Sequence, residues 1–345
     1  MSMSRNGRAG AIAIGIVIPV AVCACASAQG TPSGASPPTA LAAAVTAQAP
    51  EVTAPDPQAR WDSIPDQAVK RGPDQDPFPP VLHSDEWWPP VPLPAPVNSA
   101  GAEDSPFISP DGQTLIFFFT PDAQIPAERQ LGDGVTGLYL TRRDGDTWRE
   151  PTRLMLQLPG ELALDGCGFL QGDTLWFCSA RVGNLRGIDF WIADLQQDMP
   201  VQWRNAGARL NQELQIGEMH LSADGQVVYF HGLNPSGDVD LYAARWQDGE
   251  WSAAEPLAAV NTGETDGWPF VSKDGQELWF LRTYQGSPAI YRSRWSETGW
   301  SEADLIVSSF AGEPTLDTEG NLYFVHHFIA DGMILEADIY WARRR

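Results

Sequence analysis

Several features that mark common enzyme classes are missing from the 345 residues of this chain. There is no Gly-x-Ser-x-Gly nucleophile motif, no Walker loop, no Cys-x-x-Cys pair and no His-Glu-x-x-His helix. The 4 cysteines and 5 histidines are not spaced like zinc ligands. The sequence therefore predicts no metal and no cofactor, and it carries no motif that assigns a reaction.

Basic residues are scarce: the chain has 22 Lys and Arg but 44 Asp and Glu, which gives a net charge of −22. A surface this acidic repels the phosphates of nucleic acids and anionic lipid headgroups. We therefore expect no nucleic-acid partner, and a membrane contact only through an N-terminal lipid or signal anchor. Cations, basic partners and neutral sugars remain compatible, and the charge also serves solubility.

Long apolar runs are also missing, except for residues 11–22, which follow Arg5 and Arg8. This run is too short to span a bilayer comfortably and is typical of a signal-peptide core. We predict a signal peptide over residues 1–28. A periplasmic or extracellular location follows from it.

Two cleavage sites compete after the apolar run. Val-Cys-Ala-Cys at 22–25 resembles a bacterial lipobox, which would make Cys25 the lipidated first residue. Ala-Ser-Ala at 26–28 fits ordinary signal peptidase. We prefer the lipobox, because cysteine is rare in this chain; an uncleaved anchor is the third alternative.

The segment after the signal peptide, residues 29–80, is rich in Ala, Pro, Thr and Gln. Such a composition cannot bury enough apolar surface to fold. The sequence predicts a disordered linker over 29–80 that holds a folded domain, residues 81–345, away from a membrane.

The rest of the chain repeats a pattern of turns and strands. Ser-Pro-Asp-Gly at 109–112 recurs as Ser-Ala-Asp-Gly at 222–225 and Ser-Lys-Asp-Gly at 272–275, and an aromatic strand follows each turn. Apolar strands joined by Asp-Gly turns predict hairpins. A third strand and a Trp-marked fourth strand complete units of about 45–60 residues, which is typical of propeller blades.

The repeats predict an all-β, five-bladed β-propeller closed by an N-terminal strand. Asn98, Asn211 and Asn261 each precede the turn serine by the same spacing, which sets a common register. The last unit lacks a fourth strand, and we expect the Trp-containing segment 85–97 to supply it as a proline-rich edge strand. The predicted blades are 103–154, 161–210, 213–260, 264–308, and 312–345 completed by 85–97.

These repeats resemble the WD40-like propeller repeats of TolB-like and OmpA-associated periplasmic proteins. The residues that carry the resemblance are Asp-Leu-Tyr at 240–242, Asp-Gly-Glu-Trp at 248–251, Val-Asn at 260–261, Asp266, Pro269 and Ser-Lys-Asp-Gly at 272–275. The resemblance covers residues 85–345 and implies a propeller. It implies no single function, because the family includes scaffolds, ligand binders and some enzymes.

Each repeat offers a carboxylate where its first strand should reach the central channel. Glu103, Asp165 and Asp266 occupy the same position within their repeats. Glu218 and Glu313 lie two positions further along theirs. A step of two residues keeps side chains on one face of a strand, so we expect all five at the channel mouth. They would form a ligand or catalytic site, or they would hydrogen-bond the backbone of neighbouring blades.

Residues that do not repeat add a second set of candidates on the same rim. Aromatic rings, arginines and carboxylates together hold sugars or peptides in concave sites. The alternative is that the arginines neutralise the acidic ring and that the indole covers the core. The candidates are Arg181, Trp268, Arg282, Tyr284 and His326.

Cys167 and Cys178 lie on the first and second strands of the second repeat. If the turn centres on residues 172–173, the two cysteines stand opposite each other. An oxidising compartment would allow a disulfide, although directly paired strand residues give it strained geometry. Two buried thiols are the equal alternative.

The sequence favours a monomeric binding or scaffold module for a protein or glycan ligand. The alternative is a glycan-active hydrolase, by analogy with five-bladed glycoside hydrolases that carry carboxylates at the channel mouth. That reading needs two carboxyl groups about 5–9.5 Å apart, one with a raised pKa. Its candidates would be Glu103, Asp165, Glu218 and Asp266.

Overall fold

The computed structural model describes residues 56–345. The predicted signal peptide, the lipidation site Cys25 and most of the predicted linker lie outside these residues. Regular helix is confined to α1 (Gln58–Asp62), α2 (Ala127–Gln130), a 3₁₀ turn at Pro73–Gln75 and a π-helical turn at Arg209–Glu213. Within 56–345, no helix is long and apolar enough to cross a membrane.

Strands make up the rest of the regular structure, so the all-β prediction is confirmed. Two short strands precede the repeats, namely β1 (Val81–Leu82) and β2 (Val91–Pro92). The first repeat contains β3 (Ala102–Ile108), β4 (Thr114–Thr120), β5 (Gly137–Asp144), β6 (Thr147–Trp148) and β7 (Thr152–Arg153). The second contains β8 (Ala163–Gln171), β9 (Thr174–Arg181), β10 (Asp189–Gln196) and β11 (Met199–Asn205).

The remaining repeats follow the same order. The third contains β12 (Met219–Leu221), β13 (Val227–Leu233), β14 (Val239–Gln247), β15 (Glu250–Trp251) and β16 (Glu255–Pro256). The fourth contains β17 (Asp266–Val271), β18 (Glu277–Tyr284), β19 (Ser287–Ser296), β20 (Gly299–Trp300) and β21 (Asp304–Ser308). The fifth contains β22 (Ala311–Leu316), β23 (Leu322–Ala330) and β24 (Met333–Ala342).

The described strands form four sheets, antiparallel except for one parallel pair, that are not joined into one closed sheet. Repeats two, three and four each have a sheet of their own, and β1 extends the fourth repeat by pairing with β21. Repeats five and one share a nine-stranded sheet of order β22-β23-β24-β3-β4-β5-β6, with β2 also on β24 and β7 on β5. Their only link in that ladder is the parallel pair of Ala337 with Ala102.

The segment ahead of the repeats lies against the last strand of the chain. Val91 stands opposite Trp341 and Pro92 opposite Tyr340. Upstream, Trp87 forms an isolated bridge with Arg344 and is fully buried. The two ends of the folded chain therefore meet in the fifth repeat.

Three asparagines, each 11 residues before a turn serine, tie a loop to the third strand of a repeat. Each side-chain amide accepts a hydrogen bond from the backbone N–H of one strand residue and donates one to the carbonyl of that same strand residue. Both backbone groups of that residue are thereby satisfied. The pairs are Asn98 with Ile339, Asn211 with Phe190, and Asn261 with Leu241, at 2.7–3.0 Å. By this bond Asn98 serves the fifth repeat, as Asn211 serves the second.

The Ser-x-Asp-Gly turns close on themselves. In the first repeat the Ser109 hydroxyl donates to Asp111 at 2.5 Å and accepts from the Thr114 N–H at 2.8 Å. Gly112 has φ of +68°, a backbone conformation that glycine adopts without steric cost. These turns therefore have a structural role.

Residues 56–80, which the composition assigned to a disordered linker, are ordered against the repeats, so that part of the linker prediction is wrong. Arg60 of α1 is fully buried beside the first repeat. Lys70 pairs with Asp338 at 2.5 Å, and Phe78 packs edge-on against Phe310 at 5.5 Å. Composition failed here because a few specific side chains anchor a segment with little apolar surface of its own.

The innermost strands pack so closely on their neighbours that glycine is required at several positions. A Cβ added to Gly217 would lie 2.2 Å from His231 Nε2 and 2.8 Å from the His231 backbone oxygen. Backbone cannot move aside as a side-chain tip can, so the added methyl group would strain the strand pair.

We expect Gly217→Ala to lower the free energy of unfolding by about 1–3 kcal/mol. Gly263→Ala is the matched control, because a Cβ there would meet nothing within 4 Å. Urea unfolding followed by tryptophan fluorescence measures both. Equal stability of the two variants would contradict the packing described here.

Candidate functional site

Three of the predicted channel carboxylates lie inside ion pairs rather than on the channel surface. Glu103 meets Arg60 at 2.6 Å, and Asp165 meets Arg181 at 2.5 Å. Asp266 meets Arg282 at 2.6 Å. All three carboxylate residues are at most 2% exposed. The expectation that they line the channel mouth is therefore wrong.

The three arginines occupy equivalent places. Each guanidinium also donates to a backbone carbonyl of the loop before the repeat, at 2.5–2.8 Å, and lies over aromatic rings of the second and third strands. The carbonyls belong to Val97, Leu156 and Val260, and the rings include Phe119 and Tyr139, Phe177 and Trp191, and Phe280 and Tyr291. We call this arrangement the guanidinium clamp.

In the first repeat the clamp arginine comes from outside the repeat. Arg181 and Arg282 belong to the second strands β9 and β18 of their repeats. In the first repeat, the second-strand residue opposite Glu103 is Phe119, which carries no charge. Arg60 of α1 fills the place instead and is the reason that α1 is anchored. The sequence analysis missed Arg60, because it lies within a segment whose composition indicated disorder.

A β-bulge explains why the carboxylates separate into two groups. The pairing of the innermost strand shifts after Asp104, Gly166, Gly267 and Gly312. The bulged residues have positive φ: 48° at Ser105, 50° at Cys167, 53° at Trp268 and 51° at Glu313. A bulge re-aims side chains, so the expected two-residue alternation fails at this point.

The bulge positions, with Glu218 in the third repeat, form what we call the inner ring. Its members are Ser105, Cys167, Glu218, Trp268 and Glu313, and together they line a narrow cavity of about 60 Å³. The structure therefore brings Glu218, Glu313 and Trp268 of the predicted site together. It keeps Glu103, Asp165 and Asp266 apart from them.

The inner ring contains polar atoms without partners. Glu218 Oε1, Glu313 Oε2 and Trp268 Nε1 are buried and make no hydrogen bond within the described residues. The Trp268 indole N–H faces the Glu218 carboxyl, but no hydrogen bond of ordinary geometry joins them. Unsatisfied buried polar groups are costly, and they are expected where a ligand completes the bonding.

Burial and like charge dominate the electrostatics of the ring. Burial, followed by the negative charge of Asp104, raises the pKa of Glu218 from 4.5 to about 8. Burial, with Asp104 and Glu218 nearby, also raises the pKa of Glu313 well above its ordinary value. The ring thus favours protonated glutamates, which can both donate and accept hydrogen bonds.

A layer of rings closes the channel below the inner ring. Phe107, Phe169 and Phe270 surround His220, with ring centroids 6.1, 5.0 and 4.6 Å from the imidazole. This layer limits the depth of the cavity at the inner ring.

The other predicted residues lie away from the inner ring. Arg181 and Arg282 belong to guanidinium clamps. His326 is fully buried and bonds Asp76 at 2.6 Å, below the N-terminal segment. Tyr284 lies at the end of β18 and accepts from Gln285 at 3.1 Å. Arg181 and Arg282 therefore neutralise Asp165 and Asp266, as the alternative expected, and none of the four side chains lines the inner-ring cavity.

The two cysteines of the second repeat are in contact, although not as expected from simple pairing. Cys178 stands opposite Gly166, because the bulge displaces Cys167 by one position. Their sulfur atoms nevertheless lie 2.9 Å apart. At this distance the two sulfur atoms are not covalently joined, so the structure does not contain the predicted Cys167–Cys178 disulfide.

Residues 56–345 contain no group of three or more His, Cys, Asp or Glu side chains arranged to hold a metal ion. Asp104 lies 3.4 Å from His327, and its negative charge raises the pKa of both Glu218 and Glu313.

Comparison with known proteins supports the fold. The chain is similar to the crystal structure of a thermostable family-43 glycoside hydrolase, at 12% identity and a TM-score of 0.50, over 73% of this chain and 92% of that one. At this identity the likeness shows the fold alone, and it supports the β-propeller prediction. No protein-family model and no curated protein matches the chain.

Two further solved structures are more distant. TolB from Acinetobacter baumannii has 16% identity and a TM-score of 0.38, over 67% of this chain and 51% of that one. The xylan beta-1,4-xylosidase from Bacillus halodurans C-125 has 13% identity and a TM-score of 0.42, over 73% and 56%. The chain thus spans about half the length of each.

The clamp in the first repeat can be tested by removing its cation. Arg60→Met should lower the free energy of unfolding by about 3–5 kcal/mol, because it leaves the buried Glu103 carboxylate unpaired. Arg129→Met is the control, since Arg129 is exposed. Denaturant unfolding compares them. Identical losses would show that α1 does not dock.

The raised pKa of Glu218 predicts the sign of a pH effect. The pKa of this carboxyl is about 8 in the folded state and 4.5 ordinarily, so between these two pH values only the folded state holds the proton. The folded protein should therefore lose stability as the pH rises from about 4.5 to about 8. Glu218→Gln removes this titration, so its stability relative to wild type should increase from pH 5 to pH 8.

Thermal and urea unfolding at pH 5, 6, 7 and 8 measure this difference. Glu250→Gln, at an exposed hairpin position, is the matched control and should show no trend. A constant difference between Glu218→Gln and wild type would contradict the raised pKa.

Proposed function

We propose that the chain is a non-catalytic β-propeller binding module whose inner ring receives a narrow polar group of a protein or glycan ligand. The observation that carries this proposal is the set of unpartnered buried polar atoms on Glu218, Glu313 and Trp268. A hydroxyl, amide or ammonium group that enters the ring would satisfy them. The rigid strands around the ring would position that contact.

The geometry favours binding over hydrolysis. Three of the four carboxylates proposed for a glycan hydrolase, Glu103, Asp165 and Asp266, are occupied by guanidinium clamps. The cavity at the inner ring, about 60 Å³, is far below the roughly 300–1,000 Å³ of ordinary ligand pockets. A sugar bound across a scissile bond would therefore not reach a pair of carboxyl groups there.

The five-bladed architecture belongs to the same proposal. The nine-stranded sheet is held together at one point by the single pair of Ala337 with Ala102. On either side of this pair lie two blades, β3-β4-β5-β7 and β22-β23-β24-β2. The Asn98 bond to Ile339 supports this division, because equivalent asparagines serve the second and third repeats. The TolB-like repeat type rests on the sequence motifs.

Export and anchoring come from the sequence alone. We infer a periplasmic or extracellular monomer, attached to the cell envelope through Cys25 or released after an ordinary signal peptide. Electrophoretic mobility after globomycin treatment of expressing bacteria would separate these two routes.

The function is tested by measuring binding and turnover on the same ligands. The purified protein is screened on glycan and peptide arrays, and each bound glycan is incubated with it and assayed for reducing ends. We expect binding without turnover. Glu313→Gln and Glu218→Gln should each weaken the affinity for the bound ligand about tenfold, because each removes a carboxyl contact.

Glu250→Gln is the control for nonspecific charge effects and should bind like wild type. Release of reducing ends that disappears in Glu218→Gln would overturn the proposal and establish the hydrolase. Binding that neither glutamine variant changes would place the ligand elsewhere on the protein.

A further inference from the structure

A second cavity lies on the opposite side of the ring layer that closes the channel. It has a volume of about 490 Å³, within the roughly 300–1,000 Å³ of small-molecule sites. It opens between the Ser-x-Asp-Gly turns, and we call it the lower cavity. Phe107, His220 and Phe270 belong to the walls of both cavities, so they separate the lower cavity from the inner ring.

The walls of the lower cavity are mainly apolar. Leu170, Leu221, Val271 and Leu316 surround the opening above the rings of Phe107 and Phe270. Aromatic and aliphatic walls of this kind favour an apolar, planar ligand. A charged body would lose its hydration against these walls, and the one cationic side chain among the lining residues, Lys273, is exposed.

The carboxylates at the lip are already engaged. Asp274 accepts from Ser272 at 2.6 Å and from the Gln276 N–H at 3.0 Å. Glu277 binds Trp279 Nε1 at 3.0 Å, and Asp317 binds the Asn321 side chain at 2.8 Å. The oxygen atoms of these carboxylates are therefore occupied by hydrogen bonds within the protein.

His220 is a polar ring among the aromatic side chains of the cavity wall. Its Nδ1 accepts from the Val271 N–H at 3.3 Å, so the neutral ring must carry its hydrogen on Nε2. Burial lowers the pKa of His220 to about 3, which keeps the ring neutral at physiological pH. The imidazole thus presents a single N–H donor among three phenylalanine rings.

We propose that the lower cavity is a binding site for a small, uncharged, planar molecule with one hydrogen-bond acceptor. The ring system packs against Phe107 and Phe270, and the acceptor, such as a carbonyl oxygen, takes the hydrogen of His220 Nε2. This site is separate from the inner ring and does not depend on the function proposed for it.

Three naphthalene probes distinguish the chemistry. Equilibrium dialysis of the full chain against 2-acetylnaphthalene, 2-ethylnaphthalene and 2-naphthoate compares an acceptor, no acceptor and a negative charge on one ring system. We expect 2-acetylnaphthalene to bind most tightly. Absence of binding by all three, or tightest binding of 2-naphthoate, would overturn the proposal.

Two variants then locate the bound probe. His220→Phe keeps a ring but removes the donor, so it should weaken 2-acetylnaphthalene about threefold to tenfold and leave 2-ethylnaphthalene unchanged. Ala223→Trp, at an exposed turn position on the lip, should block both probes even if His220→Phe does not fold.

The controls separate this site from the rest of the protein. Ala253→Trp places the same side chain at an exposed position outside the cavity, and Glu218→Gln alters the inner ring; both should bind like wild type. Unchanged affinity in Ala223→Trp, an equal loss of both probes in His220→Phe, or a loss in Glu218→Gln would each overturn the assignment.

Discussion

The β-bulge in the innermost strands determines which side chains reach the channel. An ordinary strand turns alternate side chains to opposite faces. Here one extra residue at positive φ interrupts that alternation at Ser105, Cys167, Trp268 and Glu313. The residues before the bulge point into the repeats, where charge must be neutralised. The residues at the bulge point into the channel, where a ligand can meet them.

The guanidinium clamp is the consequence on the buried side. A carboxylate removed from water needs a partner and further hydrogen bonds, and an arginine fork supplies both. Two repeats carry this arginine on their own second strand, as Arg181 and Arg282. The first repeat borrows Arg60 from the segment ahead of it, which couples α1 to the first repeat. A charge requirement within one repeat thus explains the order of a segment outside it.

On the channel side, the same geometry leaves two cavities with different chemistry. The inner ring has acidic groups whose pKa values are raised by burial and mutual repulsion, and its free volume is small. The lower cavity is larger and has mainly apolar walls, with charged side chains at its lip. The layer containing His220 belongs to both walls, so one imidazole separates an acidic environment from an aromatic one.

The sequence by itself determined the strands, the turns and the period of the repeat, because hydrophobic alternation and Asp-Gly turns act over a few residues. It also identified Glu218, Glu313 and Trp268 as candidates, but it grouped them with Glu103, Asp165 and Asp266 on the assumption of unbroken alternation. Only the tertiary structure decided which carboxylates were paired and which were free. That decision depends on a bulge and on arginines up to 43 residues away, and neither leaves a local pattern in the chain.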